Sequence, residues 1–297
     1  LFTQRFVGQP AVFAFSQVGT HCGLVGQNAC VEVDGAAYWM SENGFFRYAG
    51  KLESLPCLVE DFVYDNINLE SGNQMVSAGL NNLFGEVIWF YPESNSSVVN
   101  RMVAYNYFDS STRRPVWTVG SLARTMWRDS AVFGKPHALE YDASTDTSFD
   151  VVGNTEGRTS YYEHETGTDQ NRNGTITAIT ANISSGDFDI TQRTARGATT
   201  GTADLRGDGE FLMKIRRFVP DFISQTGATR VTLELRNFPN DSQASSALGP
   251  FDVTSSTTKV DTRARARAIA LKIENTAASQ SWKLGTFRLD IQPDGRR

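Results

Sequence analysis

Histidine, cysteine and long apolar runs are scarce in this chain. Its 297 residues include three histidines and three cysteines. Cys22, Cys30 and Cys57 are an odd number at irregular spacing, which excludes a disulfide framework. No CxxC pair occurs, and only His21 lies near Cys22 and Cys30, too few donors for a four-ligand zinc site. The thiols read as reduced and structural, in a protein made in a cytoplasm. The histidines, His21, His137 and His164, show neither HExxH nor HxH spacing. No GxSxG elbow and no GxxxxGKS or GxxxxGKT phosphate loop is present. No carboxylate pair stands out for glycoside cleavage. No stretch approaches the roughly 20 apolar residues of a membrane-spanning helix. The opening "LFTQRFVGQP" has no Met and none of the parts of a signal peptide. Leu1 reads as an internal start with natural sequence upstream, and "DIQPDGRR" reads as a genuine polar terminus.

What is present is ordinary globular composition, with 40% hydrophobic and 21% charged residues, so the chain is not a disordered one. The length suits one large domain or two ordinary ones. The net charge of −5 is unevenly spread. Residues 1–210 hold 14 Lys/Arg against 25 Asp/Glu, a balance of −11. Residues 211–297 hold 14 against 8, a balance of +6. A chain polarised in this way can stack with copies of itself through complementary faces. It lacks the chain-wide basic excess of a dedicated DNA binder.

Strand patterns dominate. "VTLELRN" (231–237), "AIALKIE" (268–274) and "TFRLDIQ" (286–292) alternate apolar and polar residues, the mark of half-buried antiparallel strands. "EVIWFY" (86–91) and "RMVAYNYF" (101–108) predict a hairpin. "VEDFVYDNIN" (59–68) predicts one short helix, and 121–130 another helical turn. "ACVEVDGAAYWMSENGFFRYAG" reads as three strands joined at Asp34-Gly35 and Glu42-Asn43-Gly44, with Tyr38 and Met40 on one face and Trp39 on the other. The segments 86–120 and 137–167 repeat this rhythm of about 40 residues, which is that of β-propeller blades. From 191 to 210 the chain is rich in Thr, Gly and Ala and reads as a long loop. The expected fold is all-β, with partial propeller-like blades over 1–183 and a β-sandwich-like unit over 184–297.

Four stretches invite chemistry. "DQNRNG" (169–174) begins like a calcium loop, but its twelfth position is Thr180 instead of Glu, and an Asn-Gly hairpin turn accounts for the same letters. In "YEHETG" a strand would place Glu163 and Glu165 on one face and His164 on the other, which argues against a catalytic trio. Arg206-Gly207-Asp208 reads as a turn. "DTRARARAIALKIEN" (261–275), as a strand, aligns Arg263, Arg265 and Arg267 on one face. Such a row suits phosphates, or carboxylates on a neighbouring strand or subunit. The acidic residues of 1–210 favour inter-strand or inter-subunit contacts for Arg263, Arg265 and Arg267. No cofactor or metal is expected.

The ordered set "VEVDGAAYWMSENGFFRYAGKLESLPC", "FGEVIWFYPES", "NRMVAYNY", "WTVGSLARTMWRD", "GEFLMKIRRFVPDF", "LELRNFP" and "SWKLGTFRLDIQPDGRR" resembles the tail nozzle or hub proteins of short-tailed bacteriophages. These are also called tail tubular protein B or packaged-DNA stabilisation proteins. The likeness covers most of the chain; 191–210 and "NDSQASSALGPFD" fall outside it. It implies a structural virion protein without enzyme activity, made in the bacterial host cytoplasm. It further implies a homohexamer ring around a channel that retains double-stranded DNA and lets it pass on ejection. The partners implied are the portal or adaptor and the tail-fibre proteins, with no membrane segment. An acidic channel wall built from 1–210 would repel phosphates and let DNA slide. The competing expectation is a glycan-binding or glycan-degrading propeller of a phage tail, stacking sugars on Trp39, Trp89, Trp117 or Tyr162. A cellular scaffold propeller would need kelch or WD repeats, and neither is present.

Overall fold

The computed structural model describes residues 1–70, 74–130, 133–142, 158–172, 174–190, 211–238 and 246–295. They form many small antiparallel sheets and one short helix, the all-β class that the alternation predicts. Two compact units result, Leu1–Thr166 and Gly167–Arg297. The division precedes the boundary expected near 184, because the strand Ala181–Ser184 pairs with Ala268–Asn275 of the second unit. The expected loop at 191–210, including Arg206-Gly207-Asp208, lies outside the described residues.

The first unit is a succession of up-and-down sheets. β1 (Phe2–Phe6) and β2 (Phe13–Gln17) form a hairpin. β3 (Cys30–Val33), β4 (Ala36–Ser41), β5 (Gly44–Tyr48) and β6 (Leu52–Leu55) follow in spatial order. Asp34 and Gly35 join β3 to β4 with φ of 49° and 78°, the left-handed pair that a two-residue hairpin turn needs. The helix α1 (Glu60–Tyr64) has no side-chain cap and is fastened from its other end. There the Tyr64 hydroxyl donates to Ser41 O at 2.7 Å and accepts from Gly44 N at 3.1 Å, clasping the β4–β5 turn. β7 (Ser77–Asn81), β8 (Glu86–Tyr91), β9 (Arg101–Asn106) and β10 (Trp117–Gly120) form a second meander. β11 (Met126–Arg128), β12 (His137–Asp142) and β13 (Arg158–Glu163) form a third. The stretch expected to hold a helical turn at 121–130 holds β11 instead. Its Trp127 lies against Gly79 so closely that an added methyl there would sit 2.6 Å from the ring. That contact selects the extended backbone over a helical turn.

Tryptophan N–H groups tie successive segments of this unit together. Trp39 Nε1 donates to Cys22 O at 2.9 Å, Trp89 Nε1 to Ala29 O at 3.0 Å, Trp117 Nε1 to Pro56 O at 2.8 Å and Trp127 Nε1 to Leu80 O at 2.8 Å. A buried indole needs such a partner. β8 is buried on both faces. Val87, Trp89 and Tyr91 join the main core with Tyr38, Met40 and Phe45, while Ile88 and Phe90 pack with Val99 and Ala104. A strand buried on both sides shows no alternation, which is why "EVIWFY" reads as a continuous apolar run.

The second unit begins with the hairpin of β14 (Asp169–Arg172) and β15 (Thr175–Ala178). After β16 (Ala181–Ser184) come β17 (Met213–Val219), β18 (Phe222–Thr226), β19 (Thr229–Arg236), β20 (Ser246–Val253), β21 (Val260–Ala266), β22 (Ala268–Asn275), β23 (Ser281–Leu284) and β24 (Arg288–Pro293). One sheet runs β16-β22-β19-β20 and another β21-β17-β24, with β18 and β23 as a separate pair. Met213, Ile215, Ala264 and Ala266 of one sheet share a core with Leu233, Leu235 and Ile269 of the other. Between β21 and β22 the chain passes from one sheet to the other across a one-residue bend at Arg267.

Candidate functional site

β21 alternates as its sequence predicts. Thr262, Ala264 and Ala266 are buried, and Asp261, Arg263 and Arg265 are exposed. Arg267 does not continue the row. It sits at the bend, half-buried, with its N–H donating to Arg236 O at 3.1 Å. The alternating Arg-Ala letters run through that bend without a signal, so the sequence overextends the strand by one arginine. Arg265 is ion-paired with Asp294 of the same chain.

The structure adds residues to this face that the sequence reading passed over. β17 is the central strand of the sheet, and it sets Lys214 opposite Arg265 and Arg217 opposite both Asp261 and Asp290. A bulge between Ile215 and Arg217 leaves Arg216 exposed beside Arg217. β24 contributes the exposed Arg288. Arg217 holds Asp290 at 3.5 Å and Asp261 at 3.8 Å, and Lys259 holds Asp261 at 3.1 Å. "MKIRRFV" carried the signal: two adjacent arginines inside an otherwise alternating strand demand a bulge or an exposed pair.

The catalytic candidates disperse. Asp169 of the calcium-like stretch receives the Ser279 N–H on both carboxylate oxygens at 2.9 Å, and Gly174 donates to Asn171 Oδ1 at 2.9 Å. That is the hairpin turn anticipated from the letters, and Asn173 lies outside the described residues. No group of three or more metal-ligating side chains occurs among the described residues. Cys22, Cys30 and Cys57 are free thiols, and burial pushes the Cys57 thiol up to about 11.

"YEHETG" departs from the strand expectation, because β13 ends at Glu163 and Glu165 has a φ of 57°. Glu163 pairs with Lys135 at 3.6 Å, and Glu165 accepts from Asn81 Nδ2 at 3.3 Å. His164 turns inward to a buried polar knot. Arg124, 4% exposed, donates from Nη1 to Glu140 Oε2 at 2.6 Å and from Nε to His164 Nε2 at 2.9 Å. Its guanidinium lies 4.2 Å from the Tyr162 ring centre. Burial, then the Arg124 charge, then His137 push His164 down to about 4, so it is a neutral acceptor at pH 7. Arg124, Glu140 and His164 satisfy one another, whereas the buried Tyr162 hydroxyl has no hydrogen-bond partner among the described residues.

A continuous exposed apolar face belongs to the β1–β2 hairpin. Its register pairs Phe2 with Gln17, Gln4 with Phe15 and Phe6 with Phe13, which puts all four phenylalanines on one face. Thr3, Arg5, Ala14 and Ser16 take the other face. Phe2, Phe6, Phe13 and Phe15 are 64%, 69%, 51% and 68% exposed. The aromatics proposed for sugar stacking lie inside instead: Trp39 and Trp89 are buried, Trp117 and Tyr162 half-buried. The alternation "FTQRF" and "FAFSQ" around a Gly-Gln-Pro turn is legible in the sequence once the two stretches are paired.

No helix among the described residues is long and apolar enough to cross a membrane. No protein-family model matches the chain, and no curated protein matches it.

Proposed function

We propose that the chain is a structural protein working as a ring of identical copies, the nozzle or hub of a short-tailed bacteriophage tail. In this reading it has no enzymatic step. It acts in the virion, where its hexameric ring meets portal or adaptor and fibre proteins and lets DNA pass. The observation that carries the assembly is the phenylalanine face of the β1–β2 hairpin. At roughly 200 Å² per ring side chain, the four exposed fractions amount to about 500 Å² of aromatic surface. A stable interface takes about 800 Å² per partner, so this face supplies more than half of one side. An isolated two-stranded hairpin is marginal in water, and a second copy covering this face would stabilise it. The successive four-stranded meanders β3–β6 and β7–β10 support reading the first unit as blades, and the core shared by the two larger sheets supports reading the second unit as a sandwich.

Light scattering and negative-stain imaging test the assembly. The wild-type chain is expected to form closed rings near six copies. Replacing Phe2, Phe6, Phe13 and Phe15 together by serine is expected to give a monomer with an unchanged thermal transition for the Trp89 core. A wild-type chain that stays monomeric at high concentration overturns the reading.

One observation favours the glycan reading. Tyr161, 65% exposed, stacks on His137 with ring centres 5.3 Å apart, and the exposed Phe133 meets His137 edge-on at 4.8 Å. Arg128 sits 4.9 Å from the Phe133 ring centre. If this ladder binds sugar, host glycan quenches tryptophan or tyrosine fluorescence and Tyr161→Ala abolishes the quenching. Absence of quenching removes that reading.

A further inference from the structure

We propose that the outer face of the β21-β17-β24 sheet binds the phosphate backbone of nucleic acid, without sequence preference. Four of its cations, Lys214, Arg216, Arg263 and Arg288, have no ion-pair partner among the described residues. The three carboxylates near them are already engaged: Asp261 by Arg217 and Lys259, Asp290 by Arg217 and Asp294 by Arg265. Unpaired positive charge therefore remains on a face whose negative charge is neutralised.

The other large sheet of the same unit provides the contrast. Its outer cations are matched: Arg230 with Asp252 at 3.5 Å, Lys272 with Glu274 at 2.7 Å and Arg236 with Asp187 at 2.8 Å. The outer face of that sheet thus carries no such excess among the described residues. The excess on the β21-β17-β24 sheet accords with the balance of +6 over 211–297.

Geometry favours a line of anionic charge. Arg263 and Arg265 are two residues apart on β21, about 6.6 Å along the strand. Lys214 faces Arg265 across a strand spacing of about 4.8 Å. Guanidinium forks grip phosphate oxygens with two hydrogen bonds, and an array of them positions a backbone without reading bases.

Nucleic acid fits better than an acidic protein surface. Protein interfaces are anchored by apolar and aromatic residues at their centre, with charge displaced to the rim. None of the exposed large hydrophobics belongs to β17, β21 or β24. A phosphate backbone needs no such anchor, because released counterions drive its binding.

Fluorescence anisotropy with a short labelled DNA duplex of random sequence tests this on the whole chain. Four neutralised phosphates predict a log–log salt slope near −3.6, hence about a hundredfold loss of affinity between 50 and 200 mM salt. The double substitution Arg216→Glu with Arg263→Glu is expected to weaken binding at least tenfold and to flatten the slope by about two. The milder Arg216→Gln with Arg263→Gln should act in the same direction, and circular dichroism checks that each variant is folded. Arg230→Glu, on the opposite sheet, should leave affinity and slope unchanged. No binding at 50 mM salt, or wild-type binding by both double variants, overturns the proposal. So does equal competition by polyglutamate at matched charge, which would assign the face to acidic protein. The readout needs no ring, so its failure leaves the assembly reading standing, and failure of assembly leaves this one standing.

Discussion

Trp89→Ala is expected to destabilise the first unit by about 4 kcal/mol, the range found for removing a fully buried large aromatic. Trp89 has no exposed surface, and its ring centre lies 5.0 Å from that of Phe45 and 6.2 Å from that of Trp117. Two terms compose the loss. The first is a cavity at the junction of β4, β5, β8 and β10, whose walls are held by hydrogen-bonded strands and cannot collapse freely. The second is the hydrogen bond to Ala29 O, and it is the smaller term. That carbonyl also accepts from Met40 N at 3.1 Å, so the substitution does not orphan it. For a unit of this size, 4 kcal/mol corresponds to a fall in melting temperature of roughly 8 to 16 °C. Calorimetry with chemical denaturation measures both. Leu58→Ser, at a residue 77% exposed, should stay within about 0.5 kcal/mol of wild type. A Trp89→Ala chain that melts with the wild type would remove Trp89 from the core.

The contrast between these two residues shows what the sequence can and cannot reveal. Local alternation suffices for β19 and β21, because a strand with one buried face writes its geometry into every second letter. Asp34-Gly35 is legible for the same reason, since few other pairs accept two left-handed residues. Legibility fails where a distant residue decides. Trp127 reaches Gly79 and makes a strand of a stretch that reads as helical. Arg267 continues an Arg-Ala alternation on paper, yet it marks the crossing from one sheet to the next. β7 is hard to recognise because "SAGLN" carries a glycine where the Trp127 ring needs room. The basic face is only partly visible, since Arg263 and Arg265 stand in a row whereas Arg216 and Arg288 join them only through strand pairing.

The polar knot is the least legible feature, because Arg124, Glu140 and His164 come from three separate stretches. Arg124→Ala is expected to cost about 3 to 5 kcal/mol, since it leaves the carboxylate of Glu140 buried without its partner. The side chains of Arg124 and Glu140 are only 5% and 15% exposed, so water cannot readily replace the lost pair. Replacing both, as Arg124→Leu with Glu140→Leu, should recover most of that loss, because the burial penalty of the pair disappears with it. A double variant as unstable as the single one would show that packing over Tyr162, and not charge, holds the site.

His164 gives the knot a pH signature. Its pKa is near 4 in the folded chain and about 6.5 when unfolded, so between these values the unfolded state binds the extra proton. The contribution of neutral His164 is therefore complete above pH 6.5 and is lost as pH falls toward 4. After allowance for partial solvation of the ring, the loss is roughly 2 kcal/mol. Glu86 acts oppositely: burial and then Glu165 raise its pKa, so its protonation stabilises the fold as pH falls. The difference between wild type and His164→Gln isolates the histidine, because glutamine keeps an oxygen acceptor for Arg124 Nε. Melting temperatures from pH 7 to 4.5 should fall more steeply for wild type than for His164→Gln. Parallel profiles would mean that His164 is solvated and that Arg124 is held by Glu140 alone.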